Sequence, residues 1–127
     1  MDQSLLFHKL NDVAATIELP KDSILFQSGD AAKGLYLIRS GRVALHWGTV
    51  EHDFLQESVG SGEIVGLAAA LKGIYDATAR LAEDADLGYV PLHALYQLED
   101  CCPAVGRAIT ELIAYRVICR RAAFRGV

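Results

Sequence analysis

The sequence predicts a mainly β domain, an antiparallel sandwich or barrel of about eight short strands set between an N-terminal helix and two C-terminal helices. Between residues 20 and 92, runs of β-branched and aromatic residues alternate with glycine turns at intervals of roughly ten residues, which is typical of antiparallel β proteins. Hydrophobic residues spaced by three and four on either side of this region indicate helices. The 127 residues fit one domain, 1–127, with a single core.

The N-terminal helix is predicted over residues 2–15, and Pro20 is expected to end the regular structure that precedes it. Its apolar side carries Leu5, Leu6, Leu10 and Val13.

Within the barrel, the segment "LYLIRSGRVALHW" predicts two strands joined by a turn at Ser40-Gly41. Four apolar side chains are expected to share one face of this pair, namely Leu35, Leu37, Val43 and Leu45.

The last helix is predicted over residues 104–124, because Pro103 suits the first turn of a helix. Before it, Leu92, Leu95 and Leu98 have helical spacing. A long, partly apolar terminal helix can pack on its own domain or pair with a twin across a dimer axis. The apolar stripe of this helix is broad, which predicts that the helix both packs on its own domain and pairs with a twin.

Composition indicates a soluble globular protein, with 52% hydrophobic and 22% charged residues. The start "MDQSLLFHKL" lacks the basic segment of a signal peptide, and no apolar run reaches the length of a membrane span. Cytoplasm is therefore the expected location. The odd number of cysteines, three, predicts free thiols rather than a disulfide scaffold.

Several motifs occur in a fixed order along the chain. An L-F-x-x-G-D turn and then L-Y-x-I-x-x-G-x-V lie within "LPKDSILFQSGDAAKGLYLIRSGRVAL", followed by "VGSGEIVG", "ATARLAED" and "YVPLHAL". This ordered set resembles the cyclic-nucleotide-binding domain, in its bacterial branch of catabolite-activator and fumarate–nitrate (Crp/Fnr) regulators. The resemblance implies an antiparallel jelly-roll-like β-barrel over residues 20–92, with a phosphate-binding cassette at residues 62–80.

The resemblance also implies where a ligand would bind. Nucleotide-binding members place a Glu directly after the cassette glycine for the ribose hydroxyl, and an Arg about ten residues later for the cyclic phosphate, since a guanidinium fork pairs with phosphate oxygens. Here Leu67 follows Gly66, and the Arg position falls within Tyr75, Asp76 and Ala77. The predicted pocket residues are Gly66, Leu67, Ala68, Ala69, Tyr75, Asp76, Ala77 and Thr78.

This departure from the family pattern predicts a sensor domain that does not bind cyclic AMP in the usual way. Its ligand would be a different, more apolar molecule, or none. If the alignment is right, Leu67→Glu with Asp76→Arg should create affinity for a cyclic nucleotide. Two alternatives stay open: a genuine cyclic-nucleotide binder that uses backbone N–H groups, Thr78 and Lys72, and a protein-interaction module with a vestigial pocket.

In the Crp/Fnr branch the sensor domain dimerises through its long C-terminal helix, and a DNA-binding domain follows. The corresponding dimer residues here are Val105, Ile109, Leu112, Arg116 and Cys119. The sequence stops at "RRAAFRGV", where the DNA-binding domain would begin, so these residues are expected to include no such domain, and both a stand-alone sensor and a shortened regulator stay open.

An enzyme is not expected, because the sequence contains no nucleophile elbow, P-loop or H-E-x-x-H motif. A metal-binding barrel of the cupin type would need a His-x-His pair, and the four histidines include none. His46 and His52, which flank Trp47 and its neighbours, are interpreted as surface residues, so neither a metal nor a cofactor is predicted.

Overall fold

The computed structural model describes residues 1–48 and 53–125. Within these residues the chain forms four helices and eight strands. The helices are α1 (Gln3–Asn11), α2 (Leu67–Lys72), α3 (Leu92–Cys101) and α4 (Pro103–Arg125). The strands are β1 (Ala15–Leu19), β2 (Ile24–Phe26), β3 (Gly34–Ser40), β4 (Arg42–Gly48), β5 (Asp53–Gly60), β6 (Ile64–Val65), β7 (Thr78–Leu81) and β8 (Ala85–Pro91). The predicted fold class is confirmed.

The strands form two antiparallel sheets that pack into a jelly-roll-like barrel. One sheet has the order β1-β8-β3-β6, and the other has the order β2-β7-β4-β5. Apolar side chains from both sheets meet in a cluster that we call the barrel core. Its larger members are Phe26, Ile38, Val43, Leu45, Val59, Val65, Tyr75, Leu81 and Leu87.

A second cluster lies between the first sheet and the helices, and we call it the helix-facing cluster. Its buried members are Leu6, Leu10, Leu35, Leu37, Ile64, Leu67, Ala70, Val90, Leu95, Val105, Ala108 and Ile109. Strand β3 contributes to both clusters, because alternate side chains of a strand point to opposite faces. Ile38 faces the barrel core, whereas Leu35 and Leu37 face the helices.

The expectation that Leu35, Leu37, Val43 and Leu45 share one face is therefore corrected. The turn at Ser40-Gly41 is present, with Gly41 at φ +97°. However, β3 and β4 belong to different sheets, so the turn carries the chain across the barrel instead of closing a paired hairpin. Val43 and Leu45 consequently point into the barrel core.

The N-terminal helix is shorter than the predicted 2–15. It begins after Asp2, whose carboxylate accepts from the Leu5 N–H at 2.7 Å, and it ends at Asn11. The next residues, Ala15–Leu19, form β1 and pair with β8. The barrel thus begins before residue 20, because the β-branched pair Thr16 and Ile17 completes a sheet edge.

The long terminal helix has the predicted position. It begins at Pro103 and ends at Arg125, compared with the expected 104–124. None of the helices in the described part of the chain combines the length and hydropathy that a bilayer crossing requires.

Candidate functional site

The predicted cassette forms a tight turn followed by a short helix. Strand β6 ends at Val65, Gly66 adopts φ +86°, and α2 begins at Leu67. A left-handed conformation favours glycine, and a Cβ at residue 66 would also lie 3.2 Å from Cε1 of Tyr75. The cassette glycine therefore permits both the turn and the close approach of Tyr75.

A cavity of about 40 Å³ lies between this turn, the second sheet and α4. Seven of the eight predicted pocket residues border it: Gly66, Leu67, Ala68, Ala69, Tyr75, Asp76 and Ala77. The remaining lining residues are Phe26, Leu45, Trp47, Val65, Ile113 and Arg116. Thr78 is turned elsewhere, since its hydroxyl accepts from the Ser28 N–H at 3.1 Å. The proximity of these residues is thus observed, while a ligand role for them stays a prediction.

Tyr75 fills the part of the site where the resemblance implies an arginine. Its ring stacks on Phe26 with centroids 3.8 Å apart and an interplanar angle of 9°. Its hydroxyl donates to the Gly34 carbonyl oxygen at 2.7 Å, and the residue is 5% exposed. Because its ring is stacked and its hydroxyl is hydrogen-bonded, Tyr75 is a structural part of the barrel core.

Two ion pairs involve charged residues of the cassette, one within the cassette and one with a residue outside it. Lys72 Nζ lies 3.1 Å from an Asp76 carboxylate oxygen, four residues further along the chain. Arg80 points away from the cavity and pairs with Asp22 at 3.2 Å. Lys72 therefore meets the charge of the Asp76 carboxylate, although an exposed pair of this kind contributes little to stability.

Leu67 borders the cavity but is anchored elsewhere. It is 2% exposed and belongs to the helix-facing cluster. Its side chain is thus part of the packing between the cassette and the C-terminal helices. A carboxylate introduced at position 67 would therefore lie among buried apolar side chains.

Arg116 is the site residue that sequence reasoning placed on a different surface. It was expected at a dimer interface, but it borders the cavity and its Nη1 donates to the Ile64 carbonyl oxygen at 2.6 Å. Ile113, one turn earlier, borders the same cavity. The spacing of Ile109, Ile113 and Arg116 places them on one helix face, so the sequence indicates that Arg116 shares a covered face but not that this face borders the cavity.

The other predicted dimer residues have mixed positions. Val105 and Ile109 are 0% and 2% exposed and lie in the helix-facing cluster, so they present no surface to a twin. Leu112 packs against the same cluster and is half-buried. Cys119 is exposed. The apolar stripe is largely covered by the domain itself, because α1, α2 and α3 already pack against α4.

Four aromatic residues extend from the cavity into the first sheet. Tyr36 lies between Phe26 and Tyr89, with ring centroids at 6.1 Å and 5.1 Å. Burial, together with the neighbouring Tyr75 and Tyr89, raises the pKa of Tyr36 from 10.0 to about 12. Burial also raises the pKa of Tyr75, against the lowering effect of its hydrogen bond with Gly34.

These tyrosines predict a loss of stability in alkali. Above pH 10 the unfolded chain releases phenolic protons that the folded domain retains, so the unfolding free energy should fall as pH rises from 10 towards 12. Urea unfolding at a series of alkaline pH values measures this slope. Tyr36→Phe is the matched control and should make the slope shallower. A flat profile, or an unchanged slope in Tyr36→Phe, would contradict the assignment.

The structure shows no metal centre in the residues that it describes, where no three His, Cys, Asp or Glu side chains converge. His46 lies on β4, whereas His52 lies outside the described residues.

Comparisons with known proteins agree with this architecture. The sequence model of the cyclic nucleotide-binding domain matches residues 16–100. A search of curated protein sequences gives no match. Among solved structures, the catabolite activator protein of Thermus thermophilus is similar over 95% of this chain and 57% of its own length, with 24% identity and a TM-score of 0.79.

Two further solved structures are similar. The sensor domain of the transcriptional regulator DNR from Pseudomonas aeruginosa matches 93% of this chain and 81% of its own length, with 19% identity and a TM-score of 0.72. The c-di-GMP responsive global regulator CLP of Xanthomonas campestris matches 94% of this chain and 63% of its own, with 21% identity and a TM-score of 0.74. The chain thus spans less than two thirds of the activator and of CLP. It belongs to the cyclic nucleotide-binding domain family, and it shares its fold with the solved structures named above.

Proposed function

We propose that this chain is a non-catalytic sensor domain whose pocket does not take cyclic AMP in the family's usual way. The proposal rests on the residues that occupy two positions of the cassette. Leu67, where a ribose acceptor would be required, is buried among apolar side chains, and Tyr75 fills the position near which a phosphate-binding arginine would stand. The cavity of about 40 Å³ is far below the ~300 Å³ at which small-molecule pockets usually begin.

A cyclic-nucleotide site built from Thr78 and Lys72 is the second candidate, and the geometry does not favour it. The Thr78 hydroxyl is engaged by the Ser28 N–H, and Lys72 is engaged by Asp76. The first residues of α2, Leu67 to Ala69, do border the cavity, and the first N–H groups of a helix have no acceptor within it. Backbone groups alone, without a fork of donors, would give weak phosphate binding.

The regulatory output of such a domain would pass through α4. Among the α4 side chains that the structure describes, the large apolar ones that are exposed are Tyr115 and Ile118, at 65% and 66% exposure, next to Cys119. We propose that this face pairs with a second copy in the cytoplasm, in place of the buried Val105 and Ile109. The third candidate, an interaction module with a vestigial pocket, differs from a sensor in one measurable respect: native mass spectrometry would find no small molecule retained by the purified chain.

Thermal unfolding with cyclic nucleotides tests the proposal. We expect millimolar cyclic AMP and cyclic GMP to leave the unfolding temperature unchanged. A ligand at about 100 times its Kd would add ~2.7 kcal/mol to the unfolding free energy, which is several degrees for a domain of this size. The non-cyclic nucleotide AMP is the matched control for ionic effects. A shift of several degrees with a cyclic nucleotide, but not with AMP, would show a working cassette and refute the proposal.

A further inference from the structure

We propose that the adjacent thiols of Cys101 and Cys102 form a binding site for trivalent arsenic, which bridges the two sulfur atoms where α3 meets α4. This inference goes beyond the proposed function, because the site lies outside the cassette and its cavity. It is carried by the position of the two thiols in the fold, by the short separation of the two residues and by the charges beside them.

The thiol pair lies at the junction of two helices. Cys101 is the last residue of α3, and Cys102 connects it to Pro103, where α4 begins. Cys102 leaves the helical conformation, with φ −139° and ψ 86°. Its N–H donates to the Leu98 carbonyl oxygen at 2.8 Å, and its carbonyl oxygen accepts from the Val105 N–H at 2.9 Å. Hydrogen bonds to both helices therefore hold the backbone of the pair.

The two side chains differ in their surroundings. Cys101 is exposed, so its thiol is open to a reagent from solvent. Cys102 is half-buried and packs against the helix-facing cluster. A group that bonds both sulfur atoms must draw the Cys102 side chain away from this cluster. Occupation of the site is thus coupled to the packing between α3 and α4.

The separation of the two residues disfavours a direct disulfide and permits a bridge. The peptide between them is trans, which places consecutive Cα atoms about 3.8 Å apart. Disulfides usually require a Cα separation of about 4.4–6.8 Å. An arsenic atom between the sulfur atoms lengthens the bridge by one member, and its pyramidal bonds keep the two sulfur atoms near each other.

The number of available ligands selects trivalent arsenic over zinc. Cys119, the third cysteine, lies on α4 about 24 Å along the helix axis from Pro103. Within the part of the chain that the structure describes, no three His, Cys, Asp or Glu side chains converge. A structural zinc ion requires four ligands. Trivalent arsenic requires only two thiols, because its third position keeps a hydroxyl or an organic group.

Negative charge beside the pair favours an uncharged reagent. Glu99 and Asp100 directly precede the thiols, and the last turn of α3 contains no basic residue. Burial, and then the charge of Asp100, raise the pKa of Glu99. The C-terminal end of a helix also carries partial negative charge. Anionic thiol reagents such as glutathione disulfide are therefore repelled, whereas arsenous acid and its monosubstituted forms are uncharged at neutral pH.

The bridging reaction needs no oxidant. Each arsenic–sulfur bond forms as an arsenic–oxygen bond breaks, and the thiol proton leaves with the hydroxide as water. Two thiols thus release two water molecules from the dihydroxy form of the reagent. The arsenic atom stays in the trivalent state, and both sulfur atoms keep their oxidation state.

Phenylarsine oxide tests this assignment on the full chain. Intact mass spectrometry should find one phenylarsenic group per chain. In Cys101→Ser and in Cys102→Ser the affinity should fall by about a hundredfold or more, because the second bond is intramolecular only when both thiols are present. Cys119→Ser, which removes an exposed thiol elsewhere on α4, is the control and should keep the affinity. The dithiol 2,3-dimercaptopropanol should remove the group, while the monothiol 2-mercaptoethanol at an equal thiol concentration should not.

Two measurements on the unmodified sequence do not depend on a variant's ability to fold. Phenylarsine oxide should protect Cys101 and Cys102 together from alkylation by iodoacetamide and leave Cys119 reactive. It should also increase the hydrogen exchange of the Cys102 and Val105 amides, whose bonds hold the junction.

The contrary outcomes are equally definite. Absence of binding, full affinity in either single Ser variant, or release by the monothiol as readily as by the dithiol would overturn the bridged site. Loss of affinity in Cys119→Ser would overturn it as well, because the group would then be held by a different thiol. Unchanged exchange at Cys102 and Val105 would overturn the coupling to the packing of α3 and α4.

Discussion

Replacing Leu67 by Glu is expected to lower the unfolding free energy by on the order of 4 kcal/mol. Leu67 is 2% exposed within the helix-facing cluster, where it packs beside residues of α3 and α4. The substitution removes an apolar side chain from this cluster and places a carboxyl group among hydrocarbon neighbours. A burial of this kind raises the pKa of the new carboxyl group, because the charged form is disfavoured.

The expected pH dependence has a definite sign. The folded variant would hold its proton at pH values where the unfolded chain has released it, so the loss of stability should grow as pH rises above the ordinary Glu range. Urea unfolding at neutral and mildly acidic pH measures both effects. Leu67→Met is the volume-matched control and should cost less than ~1.5 kcal/mol. A Glu variant as stable as the Met variant would mean that the side chain at position 67 does not face the helices.

This expected loss of stability differs from the expectation that the sequence alone gives for position 67. From the family pattern, Leu67→Glu with Asp76→Arg should restore the ribose and phosphate contacts. Given the observed packing, the first change would bury a carboxyl group and the second would remove the partner of Lys72. The double variant should therefore unfold more readily and gain no affinity for a cyclic nucleotide.

Replacing Gly34 by Ala is expected to cost about 3 kcal/mol or more, because the new methyl group has no room. A Cβ at residue 34 would lie 2.4 Å from the Val90 carbonyl oxygen and 2.8 Å from the Tyr89 ring. The first of these is backbone of β8, which pairs with β3 at this point, so the two strands would have to separate. The Gly34 carbonyl also accepts from Tyr75, so the displacement would reach the cavity.

The same substitution at Gly106 is the matched control. There, in α4, a Cβ would meet no atom closer than 3.8 Å, and alanine favours a helix over glycine by roughly 0.5–1 kcal/mol. The two Gly→Ala variants should thus change the urea midpoint in opposite directions. If Gly34→Ala is tolerated as well as Gly106→Ala, the close pairing of β3 with β8 at this residue is wrong.

The sequence predicted the positions of the helices and strands better than it predicted which of them pair or pack together. Alternation and glycine turns identified the strands, and Pro103 identified the start of α4, because these signals are local. Strand β1 was missed, since its five residues follow the N-terminal helix after a short turn and join a sheet through β8, about 70 residues away in sequence.

In the candidate site, too, the local motif was predictable and the long-range packing was not. Gly66 and the residues around it were identified from a motif, and they do line one cavity. Arg116 was not associated with them, because hydrophobic periodicity indicates that a helix face is covered but not which surface covers it. Position 67 illustrates the converse case: the motif assigned it to the pocket and it does border the cavity, but the environment of its side chain depended on α3 and α4.

The helix-facing cluster also sets the limits of the unit that folds. The family match covers residues 16–100, yet Leu6, Leu10, Val105 and Ile109 of this cluster lie outside that range. A chain trimmed to the match would lose α1, β1 residue Ala15 and all of α4, and would expose Leu35, Leu37 and Leu67 to water. Such a fragment would carry an uncovered apolar sheet face, which promotes aggregation. The apolar packing of the domain therefore extends beyond the segment that the family model matches, and the candidate cavity cannot be separated from the helix that closes it.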